Sequence, residues 1–244
     1  MAPEIRLGEE SWLLVLTGAG VSAESGLPTF RDANGLWEQH RVEDVASPEG
    51  FEANPNLVWR FYSERRAGAA SCQPNAGHRA LVEVEQHLGE RFLLVTQNVD
   101  ALHPRAGSRR LLEIHGNLFR TRCASCDRAP FDDDRQYLEE LPRCDRCTRG
   151  LLRPDIVWFG EMLDPAHFRR IDAFFEAAAR GKLFFLAAGT SGVVYPAAGM
   201  VDLAARAGAE TWLVNAEPAD NAARFQHFVQ GKSAETLPGL FRRP

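Results

Sequence analysis

The sequence predicts an α/β protein built on a parallel β-sheet that helices cover on both faces. Short, continuous apolar runs recur along the 244 residues and are flanked by turn residues, as in strands that are buried on both sides. Stretches with helical periodicity separate these runs, which is typical of a doubly wound domain. The predicted strands are 12–17, 92–96, 155–159, 183–189 and 211–215, and the clearest predicted helices are 75–88, 166–179 and 196–207.

Two segments interrupt this alternation and predict a second, smaller lobe. Residues 38–74 carry helical signals without a convincing strand, and residues 119–153 contain four paired cysteines among charged and turn-forming residues. We interpret both segments as insertions, so that the large domain is discontinuous in sequence. The predicted division gives 10–37, 78–115 and 154–244 to the large domain, 38–77 to a helical module, and 116–153 to a metal-binding module.

Composition and charge exclude some classes of partner. The chain is 45% hydrophobic and 25% charged, and its net charge is −5, so no broad attraction to nucleic acid or anionic lipid is expected. No apolar run approaches the ~18 residues of a membrane span. The acidic N-terminus does not resemble a signal peptide. We therefore expect a cytoplasmic protein that binds neither membranes nor nucleic acid directly, with a monomer favoured.

Four of the five cysteines form two C-x-x-C pairs, which indicates a metal site. Cys123 and Cys126 are separated from Cys144 and Cys147 by 17 residues, the spacing of a zinc ribbon. Four thiolates fill the tetrahedron that Zn²⁺ prefers, so the predicted ion is a single structural zinc. Two disulfides are the alternative, which a reducing compartment disfavours. Acidic residues offset the arginines of this module, which favours a solvated surface over a nucleic-acid interface.

The stretch after the first strand indicates a dinucleotide site. Gly18, Gly20 and Ala23 fit a G-x-G-x-x-A pattern between a strand and a helix, where backbone amides can meet a pyrophosphate. An ordinary dinucleotide fold would place an acidic residue about 20 positions later, after a second strand. No apolar strand delivers such a residue here, so the predicted site departs from that of a dehydrogenase. A tight strand–helix turn without a ligand is the alternative.

Small or polar residues follow four apolar runs, which are three of the predicted strands and the run "LLEI" at 111–114, and the carboxyl ends of parallel strands line the ligand crevice of such a sheet. These residues are Gln97, Asn98 and Asp100 after "FLLVT", His115 after "LLEI", Gly189, Thr190 and Ser191 after "FFLAA", and Asn215 and Glu217 at and just after the end of "TWLVN". His115 stands between an apolar run and Gly116 and is a candidate general base.

The stretch "NLVWRFYSERRAG" predicts an anion-binding pair on a helix. Val58, Phe61, Tyr62 and Arg65 share one helical face. An arginine on an apolar face is costly without an anionic partner, and a carboxylate could accept hydrogen bonds from both Tyr62 and Arg65. Alternatively, Arg65 reaches solvent or pairs with an acidic residue such as Glu64.

In combination these motifs resemble the sirtuins, which are NAD-dependent protein lysine deacylases. The matching segments occur in the family's order from residue 17 to 217, with a weaker match near Ser233. They are "GAGVSAESGLPTFRDANGLW", "NAGHRAL", "TQNVDALH", "EIHGN", the four cysteines, "RPDIVWFGE", "GTSGVVYPAAG" and "VNAEP".

The resemblance implies a Rossmann-like domain and a small lobe, with the acyl-lysine of a protein substrate bound between them. NAD would be consumed rather than reduced, and the products would be nicotinamide, free lysine and O-acyl-ADP-ribose. His115 would activate a ribose hydroxyl as the base, and Asn98 would be the second catalytic residue. The Y-x-x-R pattern of Tyr62 and Arg65 matches sirtuins that remove succinyl, malonyl and similar acidic groups.

The resemblance also assigns binding residues. The cofactor-binding set is Gly18, Ala19, Gly20, Ala23, Phe30, Arg31, Trp37, Gln97, Asn98, Asp100, Gly189, Thr190, Ser191, Asn215, Glu217 and Ser233. The substrate set is Tyr62 and Arg65 for the acyl group, and Val157, Phe159, Gly160 and Glu161, which would pair with the substrate peptide as an added strand. Ala101 stands where the family usually has glycine, so we expect crowding at that turn.

Three other functions use parts of the same pattern. A dehydrogenase would bind NAD and reduce it, and a mono-ADP-ribosyl transferase would share the first step of deacylation. A non-enzymatic zinc-ribbon module would bind NAD without cleaving it.

Overall fold

The computed structural model describes residues 3–28 and 40–242, and the backbone of Leu36–Trp37. The strands are β1 (Ile5–Arg6), β2 (Ser11–Thr17), β3 (Leu36–Trp37), β4 (His40–Arg41), β5 (Phe92–Thr96), β6 (Leu111–Glu113), β7 (Gly116–Cys123), β8 (Phe131–Asp132), β9 (Leu152–Ile156), β10 (Lys182–Ala188), β11 (Glu210–Asn215), β12 (His227–Gln230) and β13 (Phe241–Arg242). The helices are α1 (Gly20–Ala23), α2 (Val42–Val45), α3 (Pro48–Ala53), α4 (Pro55–Ser71), α5 (Ala76–Leu88), α6 (Leu102–Ala106), α7 (Pro165–Ala178), α8 (Met200–Arg206) and α9 (Ser233–Leu240). Within the described residues, no helix is both long enough and apolar enough to cross a bilayer.

The large domain contains a six-stranded parallel sheet in the order β12-β11-β10-β2-β5-β6. From β2 the chain proceeds outward through β5 to β6, and from β10 it proceeds outward in the opposite direction through β11 to β12. The winding direction therefore reverses between the neighbouring strands β2 and β10. Open α/β sheets bind ligands beyond the carboxyl ends of the strands at such a reversal. The predicted doubly wound α/β fold is confirmed.

Both faces of this sheet are buried, which explains the continuous apolar runs. Along β2, Leu13 and Val15 belong to one hydrophobic cluster, whereas Leu14 and Leu16 belong to the other. Helices α5 and α9 pack on the first face, and α7 and α8 pack on the second. A strand covered on both faces needs apolar residues at every position, so it loses the alternation of a half-exposed strand.

The small lobe has one core that both predicted insertions share. It combines helices α2 to α4 with the antiparallel sheet β8-β7-β9. Helix α4 contributes Val58, Trp59 and Phe61 to this core, and the strands contribute Leu118 and Leu152. The helical and metal-binding modules are therefore packed against each other as a single lobe.

Some predicted elements differ in the structure. The run at 155–159 does not join the parallel sheet, because β9 pairs antiparallel with β7 in the small lobe. Its residues Ile156 and Trp158 are buried in the lobe core, and periodicity cannot distinguish that burial from burial in a parallel sheet. The predicted helix 196–207 begins as a 3₁₀ turn, Ala197–Gly199, before α8. The edge strand β12 alternates in burial and so lacks an apolar run.

Candidate active site

A cleft of about 1420 Å³ lies between the carboxyl edge of the large sheet and the small lobe. Predicted NAD, base and substrate residues meet in its wall although they are distant in sequence. They are Gly18, Ala19, Gly20, Ala23, Tyr62, Arg65, Gln97, Asn98, Asp100, His115, Val157, Phe159, Gly160, Glu161, Gly189, Thr190, Ser191, Asn215, Glu217 and Ser233. Phe30, Arg31 and the Trp37 side chain lie outside the described residues.

The glycine loop contacts the loop that follows the neighbouring strand. The Gly18 amide donates to the Ala188 carbonyl at 3.0 Å, and the Gly20 amide donates to the Gly189 carbonyl at 2.8 Å. A Cβ atom on Gly18 or Gly20 would lie 2.7 Å from backbone atoms of Gly189. Only glycine allows the two loops to approach this closely. The helix that follows is a single turn, so the predicted helix is present but short.

Amide side chains connect the loops at the base of the cleft. Asn98 Nδ2 donates to the Gly18 carbonyl at 3.0 Å and to Ser22 Oγ at 3.2 Å. Asn215 Nδ2 donates to the Thr190 carbonyl at 2.9 Å, and Gln97 Nε2 donates to Thr190 Oγ1 at 3.2 Å. The carboxyl ends of β2, β5, β10 and β11 are thereby held in one rigid arrangement. Such preorganisation reduces the entropy lost when a ligand is ordered.

The turn after β5 contains the alanine that replaces the expected glycine. Ala101 has φ 60° and ψ 17°, which is the left-handed region, and such a conformation costs an alanine about 1–2 kcal/mol. The adjacent Asp100 Oδ1 accepts from the Leu102 amide at 2.8 Å. Burial raises the pKa of the Asp100 carboxyl above its ordinary value. The turn therefore forms with alanine, and its cost is in the backbone conformation.

The tautomer of His115 and its lowered pKa allow the side chain to act as a general base. Its Nδ1 lies 3.1 Å from the Gln97 carbonyl, which can only accept, so Nδ1 carries the proton. The lone pair is then on Nε2. Burial lowers the pKa of His115 below its ordinary value, although the hydrogen bond to Gln97 opposes this shift. The imidazole is consequently neutral at pH 7, as a general base must be.

The segment after β9 forms the wall nearest the small lobe. The amides of Val157 and Phe159 donate to the carbonyls of His115 and Ala46 at 2.9 and 3.0 Å. An added peptide strand would therefore pair with other backbone groups of this segment. Glu161, which the resemblance assigned to the peptide, lines the cleft and accepts hydrogen bonds from Arg153 at 2.6 and 2.8 Å. Its contact with a substrate peptide stays a prediction.

Helix α4 brings the predicted acyl-binding pair to the cleft. Tyr62 is fully buried, Arg65 is half-buried, and both line the cleft wall. Burial raises the pKa of the Tyr62 hydroxyl above its ordinary value, so the hydroxyl stays protonated. The positive charge of Arg65 lowers the pKa of Tyr62 and so opposes that shift. The Arg65 guanidinium is therefore within electrostatic range of the Tyr62 oxygen.

The four paired cysteines converge in the small lobe. Their sulfur atoms lie within 4.8 Å of one another. Cys123 Sγ is 3.7 Å from Cys147 Sγ, and Cys126 Sγ is 3.8 Å from Cys144 Sγ. A tetrahedron with Zn–S bonds of about 2.3 Å has edges of about 3.8 Å, whereas a disulfide bond is about 2.05 Å. The geometry fits a zinc ion held by four thiolates, and it does not fit the two-disulfide alternative.

Backbone amides support this metal site. The Ser125 amide donates to Cys123 Sγ at 3.3 Å, and the Gly150 amide donates to Cys147 Sγ at 3.4 Å. A Cβ atom on Gly150 would lie 2.9 Å from Cys123 Sγ, so glycine is needed at this position. Hydrogen bonds to ligating atoms orient them and tune the ion, as outer-shell groups do in metal sites.

The sequence prediction did not identify three buried residues near the site. Arg66 rather than Arg65 is the buried arginine of α4, and it donates to the carbonyls of Leu118 and Arg120 and to Thr121 Oγ1. The others, Ser22 and Trp158, contact Asn98 and Tyr62. The only signal for Arg66 was its position one residue from the apolar face, which is within the error of a helical-wheel argument.

Comparisons with known proteins agree with this geometry. A sequence model described as the Sir2 family matches residues 18–196. An NAD-dependent protein deacylase of Thermococcus kodakarensis is 43% identical over 243 residues, covering 97% of this chain and 92% of that protein. The Canis lupus familiaris protein named NAD-dependent protein deacylase sirtuin-5, mitochondrial, is 42% identical over 250 residues, covering 93% of this chain and 79% of that protein.

A solved structure resembles the fold closely. It is described as a complex of a Sir2 homolog with NAD, and it aligns with a TM-score of 0.84 at 40% identity. The alignment covers 94% of this chain and 87% of the solved chain. The similarity therefore includes both the large domain and the small lobe.

Proposed function

This chain belongs to the Sir2 family, and we propose that it is an NAD-dependent protein deacylase that removes acidic acyl groups, such as succinyl and malonyl, as well as acetyl, from lysine side chains. The names of the two relatives above support the general activity. The acidic-acyl specificity is supported by Tyr62 and Arg65, which line the same cleft as the glycine loop and His115. That shared cleft is the observation that carries the proposal.

The large domain would hold NAD. Its loop atoms at Ala19 and Gly20 would meet the pyrophosphate, and Asn215 and Glu217 would hold the adenosine half. Gln97, Asn98 and Asp100 would line the ribose and nicotinamide pockets. When bound, NAD supplies a glycosidic bond whose cleavage releases nicotinamide. The remaining members of the proposed set are Gly18, Ala23, Phe30, Arg31, Trp37, Gly189, Thr190, Ser191 and Ser233.

His115 would act as the general base. Its Nε2 carries the lone pair, because the Gln97 carbonyl holds the proton on Nδ1. A neutral imidazole can remove a proton from a ribose hydroxyl at this nitrogen. The depressed pKa keeps the base unprotonated as pH falls toward 7, so the rate should be nearly constant above the ordinary histidine pKa.

The acyl chain would extend toward helix α4. A carboxylate on the acyl group would accept a hydrogen bond from the neutral Tyr62 hydroxyl and one from the Arg65 guanidinium. The two side chains are one helical turn apart, so one carboxylate can reach both. Acetyl lacks this carboxylate and would bind through the rest of the cleft alone.

Kinetics on paired peptides test the proposal. Wild-type protein with NAD should release nicotinamide and O-acyl-ADP-ribose from acetyl-lysine and succinyl-lysine versions of one peptide. His115→Ala should lower the rate of deacylation about 10²–10⁴-fold with both peptides, because each reaction needs the base. NADH formation would instead indicate a dehydrogenase, and label retained on protein would indicate ADP-ribosyl transfer. NAD binding without nicotinamide release would indicate a non-enzymatic module.

A further inference from the structure

We propose that Trp158 is a positioning residue for acidic acyl groups. Its indole N–H donates a hydrogen bond to the Tyr62 hydroxyl oxygen, and this bond directs the Tyr62 O–H toward an acyl carboxylate. This inference rests on the proposed function and adds a specificity determinant to it. Trp158 belongs to the segment after β9, not to the helix that carries Tyr62 and Arg65.

The hydrogen bond between the two side chains has one possible direction. Trp158 Nε1 lies 3.0 Å from the Tyr62 hydroxyl oxygen, and both side chains are buried. An indole nitrogen can only donate, whereas a phenol both donates and accepts. Tyr62 is therefore the acceptor in this bond. Its own proton has to point away from the indole, and Tyr62 lines the cleft wall.

Several contacts fix the plane of the indole. The Arg153 guanidinium lies 3.3 Å from the centroid of the Trp158 ring, as in a cation–π pair. The Glu161 carboxylate binds this guanidinium and also accepts from the Trp158 amide at 2.8 Å. The Phe51 ring packs against the indole with centroids 5.4 Å apart. The direction of the indole N–H is therefore set by the fold rather than by substrate.

A hydroxyl held in this way favours an anionic ligand. Without the indole donor, the Tyr62 hydroxyl could rotate and present a lone pair to the cleft, which would repel a carboxylate. With its oxygen occupied, the hydroxyl presents its proton. The hydroxyl and the Arg65 guanidinium then offer two donors to the same carboxylate, and an acetyl group uses neither of them.

The first test is removal of the indole N–H. Trp158→Phe, or replacement of Trp158 by the isosteric benzothienylalanine, should lower the succinyl-to-acetyl ratio of kcat/KM about tenfold, because one charge-assisted hydrogen bond is misaligned. The loss should be mainly in KM for the succinyl peptide, with kcat changed less. The benzothienyl variant keeps the ring shape, so it answers the question even if Trp158→Phe folds poorly.

Trp59 is a matched control. It is a fully buried tryptophan of α4 in the same lobe, its Nε1 donates to the Leu152 carbonyl at 2.8 Å, and it is not among the residues that line the cleft. Trp59→Phe should reduce stability and lower activity on both peptides by the same factor. A general packing defect would produce the same pattern for Trp158→Phe and would overturn the inference.

A double-mutant cycle with Tyr62→Phe completes the test. Once the Tyr62 hydroxyl is gone, Trp158→Phe should produce no further loss in the succinyl-to-acetyl ratio. Additive losses, or a ratio for Trp158→Phe within about twofold of wild type, would overturn the role of Trp158. If Tyr62→Phe and Arg65→Met also leave the ratio unchanged, the proposed acidic-acyl specificity itself fails. The two failures are thus distinguishable.

Discussion

The large domain and the small lobe are stabilised by different kinds of contact. The large domain buries aliphatic and aromatic side chains on both faces of its sheet. The small lobe has an apolar core too, but it also buries the ion pair of Arg66 and Asp133, and it holds the cluster of four cysteines, of which Cys123 and Cys144 are buried. Deleting one methylene from an apolar core costs about 1 kcal/mol, whereas breaking a buried ion pair costs about 3–5 kcal/mol and loss of a structural zinc can unfold a small module. The small lobe should therefore be the more fragile region.

The two regions also differ in how they contribute to the candidate site. In the large domain, backbone approach at Gly18, Gly20 and Gly189 shapes the cleft. In the small lobe, the side chains of Tyr62, Arg65 and Trp158 line the part of the cleft that we propose as the acyl pocket. We therefore expect substitutions in the large domain to change turnover on all substrates, and substitutions in the acyl pocket to change the choice among substrates.

Removal of zinc should have the largest effect, and it should be confined to the small lobe. Structural zinc contributes on the order of 10 kcal/mol in small zinc modules. Chelation, or Cys126→Ala, should abolish deacylation and expose the small-lobe amides to hydrogen exchange, while amides of the large sheet stay protected. Metal content by mass spectrometry and exchange rates measure both effects.

The lone thiol Cys72 supplies the control for the zinc experiment. It lies outside the sulfur cluster, and Cys72→Ala should retain both the metal and the exchange protection. Unchanged protection in metal-free protein would contradict a structural zinc site.

Replacement of the buried Arg66 should have the next largest effect. Arg66 Nη1 lies 3.6 Å from Asp133 Oδ2, and both side chains are almost fully buried. Arg66→Met should cost about 3–5 kcal/mol of unfolding free energy, because it removes one partner of a buried ion pair and leaves the carbonyls of Leu118, Arg120 and Arg135 without this donor. Asp133 keeps its ion pair with Arg135 at 2.9 Å, so the cost comes mainly from the lost donor. Urea denaturation measures this cost. In a double-mutant cycle, Asp133→Asn should cost less in the Arg66→Met background than in wild type, and strictly additive losses would contradict the pairing argument.

Loss of the acyl-pocket arginine should change specificity rather than stability. Arg65→Met should lower kcat/KM for succinyl-lysine about 10- to 100-fold, as expected for a hydrogen bond to a charged group, with a much smaller loss for acetyl-lysine. Arg60→Met is the control, since Arg60 is an exposed arginine on the same helix. Equal losses on both peptides with Arg65→Met would reject a selective carboxylate role.

The smallest predicted effects are gains in stability at two left-handed residues, one in each region. Ala101 has φ 60° in the large domain, and Thr148 has φ 58° in the small lobe. Ala101→Gly should stabilise by roughly 0.5–1 kcal/mol, because glycine adopts this conformation without strain. Thr148→Gly should likewise stabilise the small lobe. Thermal melting measures each gain in stability, and hydrogen exchange shows which region carries it. A lower melting temperature for Ala101→Gly would contradict backbone strain at Ala101.

The predictions from sequence were accurate where one segment carries its own signal. The runs that became β2, β5, β10 and β11 were identified within one residue at each end, since strands buried on both faces are apolar throughout. Asn75 caps α5 through its own side chain, so that helix boundary could also be predicted. The spacing of the four cysteines was sufficient to predict the cluster.

Contacts between distant segments were harder to predict. The run at 155–159 was assigned to the wrong sheet, because an apolar run gives no information about its partner. Arg65 and Arg66 are adjacent in sequence, and only the packing of α4 against β7 decides which of them is buried. Trp158 gave no separate signal, since its relation to Tyr62 joins positions 96 residues apart.

By itself, the sequence determined the α/β fold class, the metal site and many of the residues that line the cleft, but not Ser22 or Trp158. Each of these depends on local spacing, such as a run of apolar residues, a C-x-x-C pair or a glycine loop after a strand. Only the tertiary structure decided which charges are buried and how the Tyr62 hydroxyl is oriented. Burial and hydrogen-bond direction depend on the atoms that the rest of the chain brings to a side chain, and local spacing does not encode them.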